Sequence, residues 1–338
     1  MTSILDTFLA EPVVSTATKV LKDSYSKLVA HGNLTSYSMQ GTFHACPRKF
    51  QFAKLQAAAG LSERQTNVTF AFGHAVGAGV AEFDSTRSID KAVWAAFLAW
   101  DMDLLEIETK GTYADGTGKP TGKSFAMAVW ALEKYQSFLE ETNLLDDYTV
   151  DKIEATVAIN FEDGHFYTGH IDELLVNKYT NQLLVKENKT TGLTTVDPVL
   201  YANSDQALSY AVVVDMCGGT DYSVLYTVYS SKTQEWQYFL FPKSGLKKAE
   251  WLQDQLLIHQ TIDSYAELDF FPKRGASCFE FMRRCALYER CDLNPSTAYG
   301  MKFSELPRVS GKADLDAIEQ IDFYTTLTEI TNRQKERL

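Results

Sequence analysis

Two short apolar runs separated by a polar turn form the clearest pattern in the chain. They lie in GHIDELLVNKYTNQLLVKENKTTG, residues 169–192, and the turn falls at Lys178–Asn181. Runs rich in Leu, Val and Ile on both sides of such a turn predict a β-hairpin. Centring the turn between Tyr179 and Thr180 fixes the register. The predicted cross-strand pairs are Glu173–Lys186, Leu174–Val185, Leu175–Leu184 and Val176–Leu183.

The same register places two carboxylates, Asp172 and Glu187, opposite each other. Because side chains alternate along a strand, both share a face with Leu174 and Val185, and Lys189 lies beside them. Like charges in direct opposition destabilise a strand pair, and burying them unpaired is costly. A divalent cation would remove the conflict, and carboxylate oxygens suit Mg²⁺ or Mn²⁺. A Glu-x-Lys triplet alone also occurs as ordinary surface charge.

Other segments follow simpler patterns. A second hairpin is predicted from two β-prone runs, 222–230 and 235–241, and a further strand over 150–160. The stretch 110–123 is rich in Gly and polar residues and predicts a surface loop. Apolar residues at helical spacing predict helices over 16–30, 35–55 with a break at Pro47, 69–84, 89–109, 124–143, 205–217 and 243–265, and an amphipathic helix around Leu315, Ile318, Ile321 and Phe323.

The composition limits the class of protein to which the chain can belong. The chain has 338 residues, of which 45% are hydrophobic, enough for one large domain or two small ones. It has no apolar run of about 18 residues and no signal-like start, so we expect no membrane span and a cytoplasmic, reducing location. The formal net charge of −12 argues against coating nucleic acid through overall charge. A local basic strip remains compatible with it.

Five cysteines raise the possibility of a metal centre. Cys278-x6-Cys285-x5-Cys291 and the distant Cys46 provide four thiols, and Cys217 is expected to be a core thiol. Four thiolates suit an iron–sulfur cluster or Zn²⁺, with reduced core cysteines as a third interpretation. A shared metal would connect Cys46 to the far end of the chain.

These features together resemble a known family. Gly-x-Ile-Asp172 followed by Glu187-x-Lys189 resembles the core of the PD-(D/E)XK nucleases. Three further features are similar to their RecB-like iron–sulfur branch, which includes the AddB-type and CRISPR-associated four-cysteine exonucleases; a phage-encoded member is one possibility. They are Cys46-Pro47-Arg48-Lys49-Phe50, Gln206-x-x-x-Tyr210, and the three C-terminal cysteines. The resemblance spans residues 36–292, although the first cysteine gap is six residues where the family has two.

The resemblance implies a role for each matching residue. Asp172 and Glu187 would bind Mg²⁺ or Mn²⁺, and Lys189, Gln206 and Tyr210 would assist catalysis. The four thiols would bind a [4Fe–4S] cluster, favoured over Zn²⁺. Glu82 would complete the metal shell; the family's histidine would fall at position 77, where this chain has Gly77, and the nearest histidine is His74. The residues expected to contact DNA phosphates are Arg48, Lys49, Arg283 and Arg284.

The expected fold class is α/β, a restriction-endonuclease-like core of mixed β-sheet flanked by helices. We expect a helical N-terminal region (1–147), a nuclease core (148–265), a cysteine-rich, metal-tied clasp (266–295) and a C-terminal extension (296–338) used for docking or oligomer contact. The implied function is a metal-dependent DNA exonuclease that acts on DNA ends or single strands in phage or bacterial recombination or repair. The alternative is an inactive nucleic-acid- or protein-binding adaptor on the same fold.

Overall fold

The computed structural model describes residues 28–61, 67–101, 104, 122–161, 163–202, 204–216, 222–280, 283–315 and 319–335. Most of the helix predicted over 16–30, most of the loop predicted over 110–123, and Cys217 lie outside the described residues. Within them, no helix is long and apolar enough to cross a membrane.

A mixed sheet of seven strands forms the centre of the molecule. Six strands run in the order β6-β5-β4-β3-β2-β9, and the short β1 pairs with β3 beyond the point where β4 leaves it. The β4–β5, β2–β9 and β1–β3 pairs are parallel, and the remaining pairs are antiparallel. The strands are β1 Leu34–Thr35, β2 Tyr148–Asn160, β3 Phe166–Asn177, β4 Leu183–Thr191, β5 Tyr222–Ser230, β6 Glu235–Pro242 and β9 Glu319–Asp322; β7 Phe279–Glu280 and β8 Arg283–Arg284 form a separate ribbon.

Helices cover both faces of the sheet, in agreement with a restriction-endonuclease-like core. The helices are α1 Tyr37–Ala45, α2 Pro47–Ala58, α3 Val68–Thr86, α4 Ile89–Ala99, α5 Phe125–Thr142, α6 Val199–Ala202, α7 Asp205–Met216, α8 Gly245–Glu267, α9 Pro295–Tyr299 and α10 Phe323–Lys335. We call the face packed by α7, α8 and α10 the front, and the face packed by α3, α4 and α5 the rear.

The central hairpin is buried on both faces, which explains why its apolar runs are continuous rather than alternating. Leu174 and Val185 belong to the front core, whereas Leu175 and Leu184 belong to the rear core. The prediction of a strand pair here is confirmed.

The predicted break at Pro47 is confirmed as the boundary between α1 and α2. Ser36 caps α1, since its hydroxyl accepts a hydrogen bond from the backbone N–H of Met39 over 3.4 Å. Pro47 occupies the first turn of α2, where its missing N–H leaves no helical hydrogen bond unmade.

The C-terminal pattern was misassigned. The amphipathic helix predicted around Leu315–Phe323 is wrong in its first part, because Glu319–Asp322 form strand β9 on the edge of β2. A helix begins only at Phe323, and its Ile330 packs in the front core. This part of the chain is therefore built into the sheet.

Candidate active site

The predicted hairpin register is confirmed from Val176–Leu183 to Glu173–Lys186, where the β3–β4 ladder ends. Asp172, the next residue on β3, does not continue the ladder. Its Oδ2 accepts a hydrogen bond of 2.9 Å from the backbone N–H of Asn188. A carboxylate thus occupies the point where the two strands separate.

Four of the predicted site residues form one hydrogen-bonded cluster on the front face. Lys189 Nζ donates to Glu187 Oε1 and, over 2.9 Å, to Gln206 Oε1. The amide of Gln206 donates over 2.9 Å to both Glu187 Oε1 and the hydroxyl of Tyr210. Tyr210 in turn donates to the carbonyl of His170. Gln206 and Tyr210 lie one turn apart on α7, which places both side chains over the hairpin.

The electrostatics of this cluster favour a bound cation. Glu187 is 1% exposed, and its Oε2 has no hydrogen-bond partner among the described residues. Burial, followed by the negative charge of Asp172, raises the pKa of Glu187 to about 8. Burial also raises the pKa of Asp172. Both acids therefore resist ionisation in the absence of additional positive charge.

Lys189 supplies part of that charge. Burial alone would lower its pKa, but the charges of Glu187 and Asp172 raise it, so the ammonium stays protonated. A third of its side chain, 33%, remains exposed, which leaves it accessible to a substrate.

The donor set fits a hydrated divalent ion. Mg²⁺ is usually held by one or two carboxylates with water completing the shell. Asp172 and Glu187 provide two such groups, and Glu187 Oε2 is an orphaned acceptor. Among the described residues, no group of three or more His, Cys, Asp or Glu side chains is arranged to hold a metal ion. Asp172 and Glu187 could hold an ion whose remaining ligands are water molecules.

Gly169 is required by the packing of Tyr210. A Cβ at this position would lie 2.9 Å from Tyr210 Cε1, closer than real Cβ atoms approach other atoms. The glycine of Gly-x-Ile-Asp thus lets the tyrosine ring lie against β3.

A second polar cluster lies on the rear face and was only partly anticipated. Lys186 forms ion pairs with Glu173 at 2.5 Å, as the hairpin register predicted, and with Asp84 of α3 at 2.8 Å. Tyr135 donates to both oxygens of Asp84. Burial raises the pKa of Asp84 to about 7, while the Lys186 charge opposes this shift. The side chains of Asp84, Glu173 and Lys186 are fully buried.

Glu154 is a candidate site residue that sequence analysis missed. It lies on β2 between the paired residues Ile153 and Ala155, level with Asp172, and its backbone is left-handed, with φ 52°. Desolvation and then the charges of Asp172 and Glu173 raise the pKa of Glu154 to about 7, although the residue itself is exposed. The available signal was its position across from Asp172.

Helix α3 presents a different acid from the one expected. Asp84, not Glu82, is the acid of this helix that is paired with the hairpin, and the metal role of Glu82 stays a prediction. His74 is exposed on the same helix. Open space surrounds the position of a Cβ at Gly77, whereas one at Gly79 would meet Leu132 at 2.5 Å. Close helix packing therefore explains Gly79 but not Gly77.

The four predicted thiol ligands lie in segments that converge. Ser277 Oγ donates to the carbonyl of Ala45 over 2.6 Å, so the residues preceding two of the cysteines are in contact. Burial, with the Cys46 and Cys278 thiols nearby, raises the pKa of Cys291. The backbone N–H of Cys285 donates to the carbonyl of Cys278 over 2.9 Å. As they stand, these side chains do not form a ready metal centre.

The residues predicted to contact DNA differ in exposure. Arg48 is 8% exposed and its Nε donates to the carbonyl of Phe271 over 3.0 Å; its contact with DNA stays a prediction. Lys49 is half-buried. Arg284 is exposed, pairs with Glu289 at 3.1 Å and stacks on Tyr288. The Arg283 side chain lies outside the described part of the structure.

No family model and no curated protein matches the chain. Among solved structures, a candidate exonuclease from Eubacterium rectale is similar over 77% of this chain and 87% of its own, at 13% identity and a TM-score of 0.41. The structure of SSO0001 is similar over 60% of this chain and 84% of its own, at 12% identity and a TM-score of 0.26. Likenesses of this size assign neither family nor activity.

Proposed function

We propose that the chain is a nuclease that hydrolyses phosphodiester bonds of DNA with Mg²⁺ or Mn²⁺. The observation that carries the proposal is the front cluster, in which the buried Glu187 and the half-buried Asp172, both with raised pKa values, lie beside an accessible, protonated lysine. This combination costs stability unless a cation compensates it. Such an arrangement is therefore better explained by catalysis than by packing.

Each residue of the cluster would have a separate task. Asp172 and Glu187 would hold the ion, which when bound polarises the phosphoryl oxygen and lowers the pKa of water. Lys189 Nζ would orient the attacking water and stabilise negative charge on the phosphate. Gln206 would fix the positions of the Lys189 and Glu187 side chains relative to each other, because its amide group hydrogen-bonds to both. Tyr210 would hold Gln206 against β3.

The finer parts of the proposal concern substrate and setting. We infer exonuclease action on DNA ends or single strands, membership of the RecB-like iron–sulfur branch, and a cytoplasmic role in phage or bacterial recombination or repair. The convergence of the four cysteine segments supports a thiolate-bound metal, with an iron–sulfur cluster favoured over Zn²⁺. Support for these parts comes from the sequence motifs and from the free thiols of the described residues.

A cleavage assay tests the activity. Labelled linear duplex, linear single-stranded and circular DNA would be incubated with the protein in Mg²⁺, Mn²⁺ or EDTA. We expect metal-dependent loss of the linear substrates, and we expect Asp172→Asn, Glu187→Gln and Lys189→Met each to lower the rate by about 10²–10³-fold. Glu133→Gln, an exposed acid on α5, is the matched control. Near wild-type rates in all three site variants would refute the nuclease proposal.

A non-catalytic adaptor that binds nucleic acid or protein is the second candidate. The observations favouring it are that Gly77 stands where the family's histidine would fall and that the formal net charge is −12. An adaptor that binds DNA would retain the DNA in a gel-shift assay and leave every substrate intact in both metals.

A further inference from the structure

Asn188, the residue between Glu187 and Lys189, connects the two faces of the sheet. Its backbone N–H donates to Asp172 Oδ2 over 2.9 Å. Because the β3–β4 ladder ends one step earlier, the carboxylate accepts a bond that a strand carbonyl would otherwise take. The orientation of Asp172 therefore depends on where this N–H points.

The side chain of Asn188 is fixed from the rear. Its Oδ1 accepts hydrogen bonds from Lys186 Nζ at 2.8 Å and from Thr227 Oγ1 at 2.6 Å. Its Nδ2 donates to Glu173 Oε1 at 2.7 Å. All three partners are fully buried. Two donors face the amide oxygen and a carboxylate faces the amide nitrogen, so only one orientation of the amide satisfies every group.

These contacts form a continuous chain from the buried ion pairs to the candidate metal site. Thr227 lies directly beside Asn188 in the parallel β4–β5 pairing, so its hydroxyl is held by the sheet itself. Groups that hydrogen-bond to a metal ligand orient it and commonly control metal affinity.

We propose that Asn188 and Thr227 are positioning residues for the metal site, acting through the backbone N–H that orients Asp172. This inference rests on the proposed function, because it presumes that Asp172 binds a divalent ion. Neither side chain is proposed to touch metal or substrate.

Metal affinity separates positioning from simple stabilisation. The full-length, metal-free protein would be titrated with Mn²⁺, with free Mn²⁺ followed by electron paramagnetic resonance and the melting temperature recorded for each variant. Asn188→Ala should weaken Mn²⁺ binding by roughly 10–100-fold. Thr227→Val removes one hydroxyl at nearly constant volume and should weaken binding in the same direction by less. Thr227→Ser retains the hydroxyl and should restore wild-type affinity.

Thr168→Val provides the matched control. Thr168 is a buried threonine of the same sheet whose hydroxyl bonds the carbonyl of Val157, away from Asn188. It should lower the melting temperature without changing the Mn²⁺ Kd.

If the Thr227→Val variant folds and its Mn²⁺ Kd is unchanged, the inference is wrong. The result for Thr227→Val is decisive even if the Asn188→Ala variant does not fold. Equal Kd changes in Thr168→Val and Thr227→Val also overturn it. If the wild-type protein does not bind Mn²⁺, the metal site itself is refuted. If the wild-type protein binds Mn²⁺ and the variants bind it equally well, only the positioning role of Asn188 and Thr227 is refuted.

Discussion

Replacing Gly169 by alanine tests the contact that holds Tyr210 over the hairpin. The added Cβ would lie 2.9 Å from Tyr210 Cε1, whereas ordinary van der Waals contacts begin at 3.4 Å. The ring must therefore move by about 0.5 Å, the difference between these distances. Tyr210 is hydrogen-bonded to His170 and Gln206, so it cannot move without disturbing the cluster.

The expected cost follows from two opposing terms. Overpacking of a buried contact costs about 1–3 kcal/mol. Alanine restricts the unfolded chain more than glycine does, which returns about 0.4–1 kcal/mol. We therefore expect Gly169→Ala to lower the free energy of unfolding by about 1–2 kcal/mol.

Urea unfolding in a double-mutant cycle with Tyr210→Leu measures the contact directly. In the Tyr210→Leu background the ring is absent, so only the effect on the unfolded chain remains and Gly169→Ala should stabilise by about 0.4–1 kcal/mol. The control is Gly77→Ala, where the new Cβ meets nothing within 4 Å and a helix-interior alanine should stabilise by roughly 0.5–1 kcal/mol. An equal cost of Gly169→Ala in both backgrounds would show that the Tyr210 contact is not the cause.

Three further outcomes are expected. The raised pKa of Glu187, about 8 against an ordinary 4.5, means that the folded state holds a proton that the unfolded state releases, so stability in EDTA should fall as pH rises from about 4.5 to 8. Melting curves of Glu187→Gln should show a shallower slope rather than none, because the pKa values of Asp84 and Glu154 are also raised, to about 7; an unchanged slope in this variant, or a wild-type slope of the opposite sign, would contradict the assignment. Lys186→Met leaves Asp84 and Glu173 buried without their cation and should cost about 3–5 kcal/mol in urea unfolding, with partial recovery when both acids are also neutralised; a cost under about 1 kcal/mol would show that these acids are already protonated. Cys46→Ser should reduce the iron or zinc content measured by mass spectrometry and lower the melting temperature, whereas Cys217→Ser should leave the metal content unchanged; a wild-type protein with neither metal would rule out the thiolate site.

The hairpin could be predicted because its information is local. Alternation and turn position fix the pairs between Glu173 and Lys186 and between Val176 and Leu183, and a slip by one residue would exchange the two faces. The point where Asp172 leaves the ladder could not be predicted, because it depends on Asn188 and on the separation of β4 from β3.

Residues joined across long sequence separations account for most of what was missed. Asp84 meets Lys186 only because α3 packs on the rear of the sheet, and a lone acid in a helix gives no sign of this. The family resemblance places Arg48 among the DNA-contacting residues, and the packing of its guanidinium over Phe270, more than 200 residues away in sequence, could not be predicted from the local sequence. The sequence predicts a helix at strand β9 because Leu315, Ile318 and Ile321 recur at a spacing of three, and a strand of four residues carries too little alternation to outweigh that pattern.

The left-handed backbone at Glu154 has a consequence for self-association. Strand β9 covers β2 only at Val157–Asn160, and among the described residues no other strand pairs with this side of β2 over the residues before Val157. Open edges of regular β-structure recruit further strands from other molecules. Here the register shifts between Val150 and Lys152, the Glu154 backbone turns out of the extended conformation, and charged side chains project at Asp151 and Lys152. The irregular backbone that brings an acid level with Asp172 is therefore of the kind that disfavours edge pairing with a second copy of the chain.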